Sequence, residues 1–195
     1  FSTDRAFAAL DASGVITAWG DTSYGGSLAP TGTSYVDIFS TKRAFAALDA
    51  SGSIAAWGHP LYGGSGAPTG SGFTSIYSNG YAFASIDAFG AISTWGNVCC
   101  GGNSAPSGTG YVNIYSNTLA FAAIDSSGAI TAWGYTSAGG GSGAPSGSGW
   151  RIASPSFSIA AISDTWLSPS PPPPPFRPPP PSLPPPSPPP LSPPP

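Results

Sequence analysis

Ala6 to Leu10 alternates small and large side chains, Asp11-Ala12-Ser13-Gly14 interrupts the run with turn residues, and Val15 to Trp19 resumes it with β-branched and aromatic positions. That pattern predicts a β-hairpin. Gly20 through Gly32 reads as a loop punctuated by Gly25, Gly26 and Pro30, after which Tyr35-Val36-Asp37-Ile38-Phe39 predicts a third short strand. No segment carries a helical period. In the second strand Ile16 and Trp19 fall on opposite faces by the two-residue period, as do Ile54 and Trp57, so both faces need cover and sheets should pack on sheets.

The same pattern returns every 38 residues. Trp19, Trp57, Trp95 and Trp133 keep that spacing, as do Phe7, Phe45, Phe83 and Phe121, and Gly14, Gly52, Gly90 and Gly128. The series Leu10, Leu48, Ile86, Ile124 extends to Ile162. Alanines flanking the aromatics (Ala8, Ala9, Ala46, Ala47, Ala122, Ala123) let neighbouring units approach closely. The expected fold class is all-β: four 38-residue repeats plus a partial fifth, forming a small β-propeller or propeller-like repeat domain.

Residues 7 to 20, Phe-Ala-Ala-Leu-Asp-Ala-Ser-Gly-Val-Ile-Thr-Ala-Trp-Gly, resemble a blade of the regulator-of-chromosome-condensation repeats, and are similar to blades of the propeller-type β-lactamase inhibitory proteins. The resemblance covers about residues 1 to 162. It implies a β-propeller, and little about activity, because that fold hosts exchange factors, inhibitors and scaffolds alike. The chain departs from the resemblance in having fewer units than those rings.

Both ends stop inside a unit. Phe1-Ser2-Thr3-Asp4-Arg5 matches Phe39-Ser40-Thr41-Lys42-Arg43, so the chain starts midway through a repeat. At the other end Trp150-Arg151-Ile152 stands for Tyr-Val-Asp and Ser158-Ile159-Ala160-Ala161-Ile162 for Ala-Phe-Ala-Ala-Ile, after which the pattern is left. Unpaired repeat surfaces follow, and either a ring closes or molecules stack head to tail. The start at Phe1 fits a mature chain that has lost a signal peptide, and fits a fragment equally well.

From Ser168 the composition changes: 19 of the 28 residues to Pro195 are proline, in blocks separated by Ser182, Ser187 and Ser192 and by Phe176-Arg177, Leu183 and Leu191. Proline fixes φ and removes the amide donor, so an extended polyproline II tail is expected, spanning roughly 90 Å at about 3.1 Å per residue. The chain therefore divides into a β-repeat domain, 1–167, and a Pro/Ser-rich stalk, 168–195. A bare linker or a ligand for proline-recognising domains is the other reading of such a segment. The Ser-Pro-Pro-Pro blocks resemble hydroxyproline-rich glycoproteins of plants and green algae, the extensins and pherophorin-like matrix proteins. That resemblance implies an extracellular structural role and O-glycosylated hydroxyproline. Candidate positions are Pro169, Pro171, Pro172, Pro173, Pro174, Pro175, Pro178, Pro179, Pro180, Pro181, Pro184, Pro185, Pro186, Pro188, Pro189, Pro190, Pro193, Pro194 and Pro195, with Pro30, Pro68, Pro106 and Pro145 as secondary candidates or plain turn formers. No Asn-x-Ser/Thr sequon is present, so any sugar is expected to be O-linked.

Charge sharpens this picture. Only 7% of residues are charged, glutamate is absent, Lys42 is the sole lysine and the net charge is −3. An ordinary domain has about 25% charged residues. There is no basic footprint for nucleic acid, and no run of about 18 apolar residues for a membrane span. Solubility is expected to come from attached sugars and from burial in an assembly.

Candidate chemistry is sparse. Asp11, Asp49, Asp87 and Asp125 share one turn position, where a carboxylate caps backbone amides or, alternatively, holds a cation or a sugar. His59 reads as an exposed loop residue. The four repeated tryptophans read as core packing rather than as a sugar-stacking platform, whereas Tyr24 and Tyr62, in loops, are better lectin candidates. Cys99 and Cys100 read as two small apolar loop residues, as a vicinal disulfide, or as bridges to other chains. No phosphate loop, zinc motif or acid–base constellation is present, so the expectation is no enzyme and no cofactor beyond covalent O-linked glycans. A secreted fibril or cell-wall subunit, with itself and matrix glycans or glycoproteins as partners, is the expected function; a carbohydrate- or protein-binding propeller on a rigid stalk, lectin-like or inhibitor-like, is the alternative.

Overall fold

The computed structural model describes residues 1–141 and 143–152 and the strand backbone of 153 and 160–163. These all belong to one unit, Phe1–Asp164. The proline-rich segment 168–195, with its candidate hydroxyprolines, lies outside the described residues.

The strands are β1 (Ala6–Leu10), β2 (Ile16–Gly20), β3 (Tyr35–Ser40), β4 (Ala44–Asp49), β5 (Ile54–Gly58), β6 (Phe73–Ser78), β7 (Ala82–Asp87), β8 (Ile92–Gly96), β9 (Tyr111–Ser116), β10 (Ala120–Asp125), β11 (Ile130–Gly134), β12 (Trp150–Ala153) and β13 (Ala160–Ser163). They form antiparallel sheets β1-β2, β3-β4-β5, β6-β7-β8, β9-β10-β11 and β12-β13. The domain is thus all-β and propeller-like, as the 38-residue period predicts. Each third strand joins the hairpin that follows it, not the one before, so a blade straddles two sequence repeats. The first blade has only Ser2, bridged to Phe7, in place of a first strand, and the last blade shows β12-β13 alone among the described residues.

Pairing places Phe45 opposite Trp57, Phe83 opposite Trp95 and Phe121 opposite Trp133, with stacked rings whose centroids lie 5.1, 5.1 and 5.3 Å apart. The two-residue period then gives every sheet two apolar faces. One face, carrying Phe45, Ala47 and Trp57, packs on Ala6, Ala8 and Ile16 of the preceding blade. The other, carrying Ala44, Ala46 and Leu48, receives Phe83 and Trp95 of the next. The alanines are small because the neighbouring blade's aromatic rings fill the space above them.

Blades are also tied through their turns. The hairpin-turn residue Gly52 has φ +79°, and a Cβ there would lie 2.6 Å from the Phe73 carbonyl oxygen, where the chain enters the next blade. Only glycine meets both demands, and the Phe73 amide accordingly reaches the Gly52 carbonyl at 3.0 Å. A second tie repeats at the period itself: the amide of Asp4 donates to Lys42, that of Lys42 to Gly80, and that of Gly80 to Thr118, at 2.9, 3.2 and 3.0 Å.

One position breaks the pattern. Ala47, Ser85 and Ala123 occupy the same fully buried site in successive blades, and the Ser85 hydroxyl finds no partner among the described residues. An unsatisfied buried hydroxyl costs about 1–3 kcal/mol. Ser85→Ala should therefore stabilise the domain by about 1 kcal/mol in urea unfolding; a loss of stability would show that the hydroxyl is bonded after all.

The fifth unit corrects the simple alignment. Trp150-Arg151-Ile152 was expected to replace Tyr-Val-Asp, but Ile152 pairs with Ala161 as Ile38 pairs with Ala47. The bulge that the other blades carry, as between Tyr35 and Asp37, is missing here. Its loss absorbs the extra residue of the preceding loop, which places Pro145 39 residues after Pro106.

Candidate functional site

In each unit the loop after the second hairpin strand is short, ordered and built to meet the next blade. A 3-10 turn forms over Thr22–Tyr24, Pro60–Tyr62, Val98–Cys100 and Thr136–Ala138, each closed by a left-handed glycine: Gly25, Gly63, Gly101 and Gly139. Asp21, His59 and Asn97 cap the first three turns through their side chains. His59 Nδ1 accepts from the Leu61 amide at 3.2 Å, so the histidine is a capping residue and only partly exposed.

A polar residue ahead of each blade's central strand clamps this turn. Thr3 Oγ1 and Thr41 Oγ1 donate to the carbonyls of Tyr24 and Tyr62, and Asn79 Nδ2 and Asn117 Nδ2 to those of Cys100 and Ala138, at 2.7 to 3.0 Å. Thr41 and Asn79 are buried polar groups that the clamp satisfies. The clamp aims the glycine carbonyl at the following blade. Trp57 Nε1 donates to the Gly25 carbonyl, Trp95 Nε1 to Gly63 and Trp133 Nε1 to Gly101, at 3.0, 3.0 and 3.2 Å.

The two ends of this series stand apart. Phe7 and Trp19 form the same stacked pair, 5.6 Å between centroids, yet they are 53% and 50% exposed, against 0% for Phe45, Phe83 and Phe121 and 3–4% for Trp57, Trp95 and Trp133. Trp19 Nε1 has no partner among the described residues. At the far end Gly139 keeps the turn geometry, φ +91° and ψ 5°, but nothing described lies within 4 Å of the Cβ position there, and its carbonyl accepts nothing from the described residues. A cavity of about 330 Å³ opens beside it, lined by Ala122, Ile130, Ala132, Ala138, Pro145 and Trp150 among others.

A second feature escaped the sequence reading. Tyr24, placed there as a loop lectin candidate, is buried between the guanidinium groups of Arg5 and Arg43, 5.1 and 4.8 Å from its ring centre. Arg43 also covers Tyr62 at 5.1 Å, which stacks on Tyr81 at 5.3 Å, and Lys42 lies 4.8 Å from the Tyr81 ring. The 38-residue spacing of Arg5 with Arg43 and of Tyr24 with Tyr62 was the available signal. The hydrogen bond from Lys42 Nζ to the Tyr81 hydroxyl, 3.2 Å, raises the pKa of that ammonium.

The turn aspartates act on backbone. Oδ1 of Asp49 accepts from the Ser51 and Ser53 amides and the Ser51 hydroxyl, and Asp11 and Asp125 repeat the arrangement; at Asp87 the hydroxyl is replaced by Phe89. The serine hydroxyl bond, followed by the amides, holds Asp11, Asp49 and Asp125 below the ordinary 3.8. A depressed folded pKa contributes stability that is present above 3.8 and lost as pH falls through the folded values. The melting temperature should hold steady from pH 7 to pH 5 and fall progressively below pH 4; a flat profile to pH 2.5 by circular dichroism would contradict this.

Cys99 and Cys100 are free thiols with sulfurs 2.9 Å apart. Burial, then the bond to Cys99, pushes the Cys100 thiol up to about 12. The secondary candidates Pro30, Pro68, Pro106 and Pro145 sit in loops and are partly exposed. Among the described residues no three metal-ligating side chains cluster, and no helix is long and apolar enough to cross a membrane.

No protein-family model and no curated protein matches this sequence. Solved structures are. The ectodomain of the Physcomitrella patens receptor kinase CR4 aligns over 85% of this chain and 49% of its own, with a TM-score of 0.63 and 15% identity. The CRINKLY WD40 ectodomain of the Arabidopsis thaliana receptor kinase ACR4 aligns over 78% and 53%, TM-score 0.55, 16% identity. Prp20p of Saccharomyces cerevisiae aligns over 83% and 49%, TM-score 0.54, 14% identity. The likeness establishes a propeller-type repeat fold, and the chain spans about half the length of each of these structures.

Proposed function

We propose that this chain is a secreted structural glycoprotein subunit whose repeat domains join head to tail, and not an enzyme. One observation carries the reading: the first blade leaves uncovered an aromatic face that every later described Phe–Trp pair buries. A second copy would cover that face as each described blade covers its neighbour. Low charge suits a surface hidden in an assembly, and the 168–195 segment suits a stalk whose hydroxyprolines carry O-linked sugar and hydration. Matrix glycans or glycoproteins are the further partners, outside the cell. The likeness to two plant receptor ectodomains supports that location.

Electron microscopy and sedimentation of the native material test this, with intact mass alongside. Filaments, and a subunit mass well above 19.3 kDa, are expected. Single, sugar-free particles at high concentration would overturn it.

A second reading is favoured by the Arg5–Tyr24–Arg43–Tyr62 ribbon and by the propeller fold: a module that binds protein or carbohydrate. Prp20p, of the same fold, is described with binding to Gsp1p and histones. That reading expects a soluble monomer.

A further inference from the structure

Three of the four lysine and arginine side chains among the described residues, Arg5, Lys42 and Arg43, stand on one ribbon with Tyr24, Tyr62 and Tyr81. Its centre is Arg43. The guanidinium carbon lies 4.8 Å from the Tyr24 ring centre and 5.1 Å from that of Tyr62, so rings from two successive 3-10 turns hold it between them. Tyr62 in turn stacks on Tyr81, and Lys42 Nζ lies 4.8 Å from the Tyr81 ring centre. The backbone beneath is fixed as well: the Asp4 amide donates to the Lys42 carbonyl and the Lys42 amide to that of Gly80, at 2.9 and 3.2 Å.

Blade packing does not require this ribbon. In later units Leu119 stands at the Arg43 position, and Cys100 and Ala138 at that of Tyr62, yet the same strands and clamped turns form. Nor is the charge spent among the described residues. A cation–π contact consumes none of the five guanidinium N–H donors. The Arg43 side chain, partly exposed, donates to no described acceptor and forms no ion pair with a described aspartate, and the same holds for the exposed Arg5. Six of the seven described aspartates accept from backbone amides instead, and the seventh, Asp4, acts electrostatically on Lys42.

We propose that this ribbon binds an acidic polysaccharide, whose uronate or sulfate oxygens take the N–H donors of Arg43 and, further along the sugar chain, those of Arg5, with the Lys42 ammonium as an additional cation. This deepens the glycan partnership that both readings above include, and rests on it. The guanidinium fork matches the paired oxygens of a carboxylate or sulfate, and the flanking rings hold it in place before the ligand arrives. Arg5 and Arg43 are one repeat apart on adjacent blades, so the cations recur at a fixed spacing, as acidic groups do along a repeating polymer. Nucleic acid fits less well, because the chain as a whole carries a net charge of −3 and has no broad basic surface.

The test titrates the full chain with polygalacturonate, dextran sulfate and neutral dextran by calorimetry at low and high salt. Binding to an acidic polymer, weakened by salt, and none to dextran is the expected result, and the polymer that binds distinguishes uronate from sulfate. Arg43→Gln and Lys42→Gln should each weaken it by about tenfold or more, as the loss of one charge-assisted bond predicts. Arg151→Gln removes the same charge from β12, away from the ribbon, and should change affinity by less than about twofold. Circular dichroism melts confirm that each variant is folded before it is scored, and where Arg43→Gln does not fold, Arg5→Gln at the more exposed position takes its place. Equal affinity for dextran, or acidic binding that survives the ribbon variants, would overturn the ribbon site while leaving a glycan partnership standing. A chain that binds none of the three polymers would overturn both, and would leave the ribbon to a protein partner.

Discussion

Phe83→Ala should destabilise the repeat domain by about 3–5 kcal/mol, whereas Phe7→Ala, the same change at the same repeat position, should cost the single molecule about 0.5 kcal/mol or less. The contrast follows from cover alone. Phe83 is fully buried between its stacked partner Trp95 and the Gly63 turn, and its removal leaves a cavity lined by Ala44, Ala46 and Ile76, small or branched side chains with little reach to refill it. Loss of the stack adds to the area term, at about 0.5–1.5 kcal/mol. Phe7 has one face on Trp19 and the other in water, so its truncation removes little buried surface. Urea unfolding of both variants at a concentration where the parent is monomeric measures the difference. Equal losses would mean that the first blade is covered within the single molecule.

A domain of this size has about 5–15 kcal/mol of stability in total, so Phe83→Ala endangers the fold. In a stacked array the damage need not stay local. Each blade holds its neighbours mainly through these two-faced contacts, so losing the central joint separates a two-blade piece from the rest, and neither part retains both of its apolar covers.

How far the sequence discloses this arrangement is best judged on residues 5–14 and 43–52. Both read Arg-Ala-Phe-Ala-Ala-Leu-Asp-Ala-Ser-Gly, and both form the first strand of a hairpin and its turn. The hairpins, the turn aspartates and the stacked aromatics are therefore legible locally, because alternation and turn chemistry act over a few residues. Yet Phe45 is buried and Phe7 is not, and no local property separates them. The difference lies in whether a neighbouring described blade packs on that face. Sheet membership was hidden for a related reason: Tyr35–Ser40 carries an apolar pattern that would serve either the hairpin before it or the one after, and only the geometry of the crossing selects the latter. The capped 3-10 turns were read as plain loop, since three residues carry no hydrophobic period, although the αL glycines that close them were visible as a repeated Gly25, Gly63, Gly101 and Gly139.

Those glycines supply the other large effect. Gly63→Ala is expected to destabilise the domain by about 2–5 kcal/mol, and Gly139→Ala, at the same turn position with the same φ of +91°, by only about 1–2. Placing alanine in the left-handed region costs both variants alike, so their difference isolates sterics. At Gly63 the new methyl would lie 2.5 Å from Phe83 Cδ2, 2.9 Å from its Cε2 and 3.3 Å from Trp95 Cδ1. Both rings are buried and stacked on one another, and the Trp95 indole is tethered to the Gly63 carbonyl itself, so neither can swing aside without breaking that bond. At Gly139 the methyl meets no described residue within 4 Å. Unfolding of monomeric protein should therefore rank Gly63→Ala well below Gly139→Ala. Equal stabilities would show that the inner joint is loose enough to accept a methyl.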